Sequence, residues 1–299
     1  MRHRLPLPEL MLFAVALVWG CSYGVAKVAI NFYPVLGFLA LRFGLTFALL
    51  LPSLRDFRNT EVANALRIGL PLGAILLAIF LCETYGIAQT SAANAAFLIS
   101  LCIVLTPLVE WLRLKQRPDS FTLGAALVAM LGAALLSGNL SAAFNVGDGL
   151  ILAAAVLRAV MMVETKRRCA GQQLSTLALT AVQAGVLLLG CLLLALLTPS
   201  GLPALPTSPM FWAATLFLVL FCTLFAFFAQ NYAIRRSTPS RVALLLGTEP
   251  VFGALFAALI LGEALSANVI LGGALIVLAS LAASLQVAGS PRESIREAV

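Results

Sequence analysis

Charge is what this sequence has least of. Only 10% of its 299 residues are Asp, Glu, Lys or Arg, against about a quarter in an ordinary soluble domain, which excludes a water-soluble globular fold of this size. Histidine occurs once, at His3. With one histidine and no HExxH, GxSxG, phosphate loop or paired-aspartate motif, the chain lacks the nucleophile, base and ligand sets of the common enzymes. No catalytic residue, metal or cofactor is expected. The six cysteines, Cys21, Cys82, Cys102, Cys169, Cys191 and Cys222, lie almost all inside apolar runs without CxxC spacing. That argues against a disulfide framework or a zinc site and leaves them as small packing residues. Nor does the net charge of +7 point to nucleic acid, because the basic residues are dispersed through short loops instead of forming one patch.

What is present is apolar: 62% of the chain. Almost every stretch between charges is about 20 residues long, the length of helix that crosses a hydrocarbon layer of about 30 Å. Barrel strands would be half that length and would alternate. Turn and charge signals predict an all-α integral membrane protein in the lipid bilayer with ten transmembrane helices, at 9–30, 33–54, 66–88, 92–113, 120–139, 148–166, 174–197, 210–234, 239–261 and 268–288. The start, MRHRLPLPE, resembles the basic end of a signal sequence, but the apolar run from Leu10 to Ile30 has no small-x-small cleavage pattern, so a retained first helix is expected. With the N-terminus in the cytoplasm, 16 of the 19 basic residues fall on the inner side: Arg2, Arg4, Arg55, Arg58, Arg67, Arg113, Lys115, Arg117, Lys166, Arg167, Arg168, Arg235, Arg236, Arg241, Arg292 and Arg296. Lys27, Arg42 and Arg158 fall within spans, and the outer loops hold none. This asymmetry predicts that both termini are cytoplasmic.

The chain also repeats itself. FLCETYGIAQTSAAN (80–94) is echoed by FFAQNYAIRRSTPSR (227–241) at an offset of 147 residues, with Phe80, Tyr85 and Ile87 over Phe227, Tyr232 and Ile234. AAFLIS (95–100) lies over VALLLG (242–247), and LGAAL (123–127) over LGGAL (271–275) with one residue of slip. Five helices separate the third span from the eighth, and an odd number reverses direction, so the halves are expected to be inverted repeats. Secondary transporters recurrently use that architecture, with substrate at the midplane between halves. A channel or a non-transporting scaffold with the same duplication stays open at this point.

WGCSYGVAK (19–27), ALRFG (40–44), TSAANAAFLISL (90–101) and TEPVFGALFAALILGEALSANVILGGALI (248–276) resemble the EamA-type members of the drug/metabolite transporter superfamily over essentially the whole chain. The last motif, with Glu249-Pro250 and Leu261-Gly262-Glu263, is the most specific. The resemblance implies two inverted five-helix repeats, 1–145 and 146–299, in a bacterial inner membrane. It also implies a central cavity lined by helices 1, 3, 4, 6, 8 and 9, and efflux of small metabolites. Within that superfamily the chain most resembles, on these motifs, the aromatic amino-acid exporters of YddG type. The first half departs from the pattern: Ile103 stands where Pro250 does in the second, Gln116 where Glu263 does, and the proline comes late, as Pro107. A homodimer is compatible with all of this.

Charges deep in a span cost about 2.5–3.5 kcal/mol each on insertion scales, so each needs a partner or a task. Arg42, Arg158 and Glu249 lie near mid-depth, Lys27 and Glu83 nearer the outer face, and Glu110 and Glu164 near the inner ends, within reach of water. Arg158 and Glu249 either hold the carboxylate and ammonium of a small zwitterionic substrate or form a permanent pair, a second pair then involving Arg42. Trp19 and Tyr23, four residues apart, share a face beside Gly20 and Gly24; they either stack on an aromatic solute or pack the core. Met161, in a stripe with Arg158, Met162 and Thr165, offers an adaptable wall or plain filler. On the eighth span Gln230 points away from Phe217, Phe221, Phe225, Phe228 and Tyr232; if it faces the cavity, they face lipid or a neighbour. Glu83, Gly86 and Thr90 make a small polar face expected to line the path, with Tyr85 left to packing or to anchoring through its hydroxyl. The candidate substrate-binding set is therefore Trp19, Tyr23, Glu83, Arg158, Met161, Gln230 and Glu249. Phosphate-bearing solutes would be expected to meet more cations than Arg42, Arg158 and Lys27. A lipophilic-cation pump would favour an acid midway along the first helix, whereas Glu9 is at its edge. Balanced charge and aromatic enrichment fit small zwitterions best, and the resemblance implies that these are aromatic and other neutral amino acids.

Overall fold

The computed structural model describes residues 7–55, 60–90, 92–115, 117–137, 145–198, 202–261 and 266–288. His3, Arg2, Arg4, Arg58, Gln116, Glu263, Arg292 and Arg296 lie outside them. Among the described residues all regular structure is helical. Uniform apolar runs leave the backbone no water to bond, so each segment satisfies its own N–H and C=O groups as a helix.

The first expected span is two helices, α1 (Leu7–Gly20) and α2 (Ser22–Ile30), meeting at Cys21 with a bend of 41°. α3 (Val35–Leu50) ends in a 3-10 turn, and α4 (Thr60–Gln89) carries Pro71 within its 30 residues. α5 (Ala92–Ser100) and α6 (Cys102–Leu114) break at Leu101; α7 (Ser120–Ser137), α8 (Val146–Cys169) and α9 (Thr176–Leu196) are unbroken. α10 (Pro209–Phe217), a π-helical segment over Leu218–Phe225 and α11 (Ala226–Arg236) form one rod. α12 (Pro239–Leu246), α13 (Glu249–Leu261) and α14 (Ala267–Ala288) follow.

Local chemistry sets several of these ends. Asn145 and Asp148 form a reciprocal capping box at the start of α8, each side chain accepting from the other's backbone N–H at 3.0 Å, which satisfies donors that the helix cannot. Thr238 caps α12 with Pro239 at its first position, where a missing N–H costs nothing. Lys115, at φ 58°, closes α6 in the left-handed conformation.

Among the described residues, six helical stretches are long and apolar enough to cross a membrane, and the bent α1–α2 pair makes a seventh; Ser120–Leu135 and Ala267–Ala282 are shorter apolar helices. Burial runs opposite to that of a soluble protein. Leu131, Leu189, Leu193 and Leu278 are more than 60% exposed, whereas Arg42, Glu83, Gln183, Asn231 and Glu249 are buried. Apolar outside and polar inside is the arrangement lipid demands, and the protein is an integral, multi-pass membrane protein.

α4 packs on α8 and α9, α3 on α9, α7 on α14, α1 on α11 and α13, and α6 on α8. Glycine permits the closest of these approaches. A methyl group at Gly20 would stand 2.7 Å from the Gly253 nitrogen, and one at Gly132 would stand 2.6 Å from the Gly272 oxygen. Side-chain contacts define two ends of the bundle. At one, Arg241 of α12 pairs with Glu9 of α1, the Glu110 carboxylate of α6 accepts from Ser240, and Glu164 of α8 accepts from Arg113, Arg167 and Arg168. Arg235 reaches Leu174 O and Thr176, and Asn64 reaches Gln173 O. At the other, Thr90 donates to Asp148, Lys27 Nζ lies 3.5 Å from Thr90 O, and Tyr33 donates to Pro203 O at 2.9 Å. The first, basic end is cross-linked by these ion pairs and hydrogen bonds. Glu110 and Glu164 are thus buried and partnered, a correction to the expectation that they reach water.

Candidate functional site

Arg158, halfway along α8, organises the centre of the bundle. Its Nη2 lies 2.7 Å from Glu83 Oε1 on α4 and its Nη1 lies 3.6 Å from Glu249 Oε2 at the start of α13. Its guanidinium also lies over the Trp19 ring, 5.0 Å from the centroid. One cation therefore joins two acids and an aromatic face from three other helices. Desolvation offsets much of such an interaction's Coulomb energy, but removing one partner would strand a buried charge. Glu249 Oε1 is buried without a hydrogen bond; the Tyr23 hydroxyl is within its electrostatic reach yet forms no bond of good geometry.

A cavity of about 50 Å³ opens beside this cluster, below the roughly 300–1,000 Å³ of small-molecule sites, so a bound solute requires its walls to part. Trp19, Tyr23, Glu83, Arg158, Met161 and Gln230 all line it, together with Arg42, Phe80 and Phe227. Glu249 does not; it lines a smaller pocket behind Arg158 with Met162 and Pro250. Arg158 stands in the wall between the two.

Across the cavity the π-helical segment shapes a second polar point. Thr223 Oγ1 donates to Leu218 O, five residues back, and accepts from Arg42 Nε at 2.7 Å. The neighbouring Cys222 carbonyl accepts from Trp19 Nε1 at 3.0 Å and from Arg42 Nη2 at 3.4 Å. Widening a helix to a π turn frees carbonyls from the regular ladder, a device frequent at functional sites. Phe43, Phe80 and Phe227 pack as one aromatic cluster with centroids 4.9–6.2 Å apart, and Arg42 lies 5.6 Å from Phe43 and 5.1 Å from Phe80.

The sequence model of the EamA-like transporter family matches this chain over residues 7–138 and 145–285. The chain belongs to that family. An uncharacterized transporter of Archaeoglobus fulgidus is 29% identical over 283 residues, 93% of this chain and 86% of that protein. The uncharacterized inner membrane transporter YedA of Escherichia coli is 28% identical over 282 residues, 89% of this chain and 87% of YedA. A protein crystal structure superposes with a TM-score of 0.74 at 21% identity, covering 95% of this chain and 99% of that one; it supports the fold.

In this EamA-like transporter the sequence-predicted residues converge, with differences of detail. Trp19 and Tyr23 both reach the cavity although Cys21 breaks the helix between them. Gly20 is a close-approach residue, but a methyl at Gly24 would meet nothing within 4 Å. Gly86 does not line the path: it abuts Ile151 and Gly147 of α8, and Thr90 is tied to Asp148. Tyr85 is 38% exposed and faces outward, which removes it from interior packing and leaves the anchoring role. Phe221 is outward too, while Gln230 faces the cavity. Arg42 has no carboxylate within 4.0 Å among the described residues, so it is not the second internal pair. The Cys222 carbonyl and Thr223 went unforeseen, because LVLFCTLF is apolar but for its one threonine and nothing in it marks a π turn.

Proposed function

We propose that this EamA-like transporter exports aromatic and other neutral amino acids across a bacterial inner membrane by alternating access. In this reading ten helices form two inverted halves with both termini cytoplasmic. Support for the inversion comes from helix partners. Exchanging each span for the one five later turns the α4–α8 contact into the α11–α1 contact, and the α1–α13 contact into the α8–α6 contact, and both members of each pair occur. The two matches to the family model divide the chain at the same place, and YedA's inner-membrane description favours that location.

One observation carries the substrate reading: a cavity lined by two guanidiniums, Arg42 and Arg158, and by the Glu83 carboxylate, beside Trp19, Phe80 and Phe227, with the Glu249 carboxylate behind Arg158 in the adjoining pocket. A zwitterion leaving water needs both of its charges answered, and an aromatic side chain gains about 25 cal/mol per Å² of apolar area buried. The carboxylates receive the ammonium and a guanidinium receives the substrate carboxylate. Arg158 must then loosen from an acid, which keeps binding weak enough for release. Met161 and Gln230 complete the wall, Trp19 and Tyr23 its apolar part. Uptake by liposomes holding the purified protein, measured over a panel of amino acids, tests this: phenylalanine and tryptophan should enter faster than into empty liposomes, and flux of none would overturn the assignment.

A further inference from the structure

The two guanidiniums are not equivalent. Arg158 already has two carboxylates, whereas Arg42, only 6% exposed, has a hydroxyl, a carbonyl and two aromatic rings. Its hydrogen bonds to protein use Nε and Nη2, leaving Nη1, and Arg42 lines the cavity. Neutral partners and ring faces fix the position of a buried cation without cancelling its charge. Arg42 and Glu83 line the same cavity, so a positive and a negative group face one space.

Building on the function proposed above, we propose that Arg42 is the anion subsite: it binds the carboxylate of the transported solute, while Glu83 takes the ammonium and Arg158 moves towards Glu249. Thr223 and the Cys222 carbonyl act as positioning groups that hold the guanidinium fork, and Phe43 and Phe80 flank it. The subsite selects carboxylate-bearing amphiphiles over the matching amides and amines, because a guanidinium offers paired donors to a carboxylate and none to an amide N–H₂.

The test uses purified full-length protein and three probes: L-phenylalanine, L-phenylalaninamide, which lacks the carboxylate, and 3-phenylpropionate, which lacks the ammonium. Ligand-induced thermal stabilisation gives half-effective concentrations, and counterflow in liposomes gives transport. The unmodified protein should prefer phenylalanine to its amide by about tenfold or more, the discrimination expected from one charge-assisted pair. In Arg42→Gln that preference should fall to within about twofold, with the half-effective concentration of 3-phenylpropionate raised by about tenfold and that of the amide little changed. Where Arg42→Gln yields no monodisperse protein, Arg42→Lys carries the test: it keeps the charge but loses the fork, so carboxylate probes should weaken severalfold and the amide should not. An unchanged preference in the variant that folds overturns the subsite even when amino acids are transported. Arg42-dependent stabilisation by 3-phenylpropionate without amino-acid flux upholds the subsite and overturns the transport reading alone.

Discussion

Trp19 and Cys222 lie 203 positions apart and share one buried hydrogen bond, the indole Nε1 donating to the carbonyl at 3.0 Å. The bond ties α1 to the π-helical segment, and it fixes the ring on which Arg158 rests. Trp19→Phe removes the bond and keeps a ring, so it should lower thermal stability by about 1 kcal/mol, the net worth of a neutral hydrogen bond. Trp19→Ala removes the ring as well and should slow aromatic substrates more than alanine or threonine. Equal loss for every substrate would make Trp19 a packing residue only.

The two arms of Arg158 differ in length, 2.7 Å to Glu83 and 3.6 Å to Glu249, and should differ in energy. Glu83→Gln should destabilise more than Glu249→Gln. Arg158→Gln, which leaves two buried acids facing each other, should cost most, about 3–5 kcal/mol. Thermal unfolding of the singles and of the Arg158→Gln, Glu249→Gln double variant forms a cycle, and a double costing as much as the sum of its singles would deny the coupling.

Glycine spacing gives a packing test with its own control. Gly20→Ala would drive a methyl against the Gly253 backbone, whereas Gly24→Ala finds open space. The first should destabilise by about 1–3 kcal/mol, as overpacking does, and the second should not. Similar melting temperatures for both variants would contradict the α1–α13 contact.

The loop charge asymmetry predicts orientation. A cysteine at Leu202 should react with an impermeant thiol reagent applied to intact cells, and one at Arg117 should not. The reverse pattern would invert the topology.

Much of the bundle was legible because span ends coincide with charges and turn residues: Asn145, Ser175 and Thr238 each start a helix where polar residues interrupt the apolar runs. The meeting of Arg158 with Glu83 and Glu249 was foreshadowed by cost, since few buried charges survive without partners. Helical phase was less secure. Cys21 breaks the register, so Gly20 and Gly24 do not share a contact, and Gly86 meets α8 although it lies three residues from Glu83. The Cys222 carbonyl could not be foreseen, because a backbone acceptor has no residue type to announce it. Arg42 was visible as a charge, but its want of a carboxylate is a property of its neighbours in space.

Counterflow tests the central claim most directly. Liposomes loaded with unlabelled phenylalanine should take up labelled phenylalanine by a saturable, transiently overshooting exchange, and Glu83→Gln should reduce it at least about tenfold, the worth of one charge-assisted interaction. Flux that rises without saturation, or no exchange of any amino acid by the unmodified protein, would contradict an alternating-access amino-acid carrier.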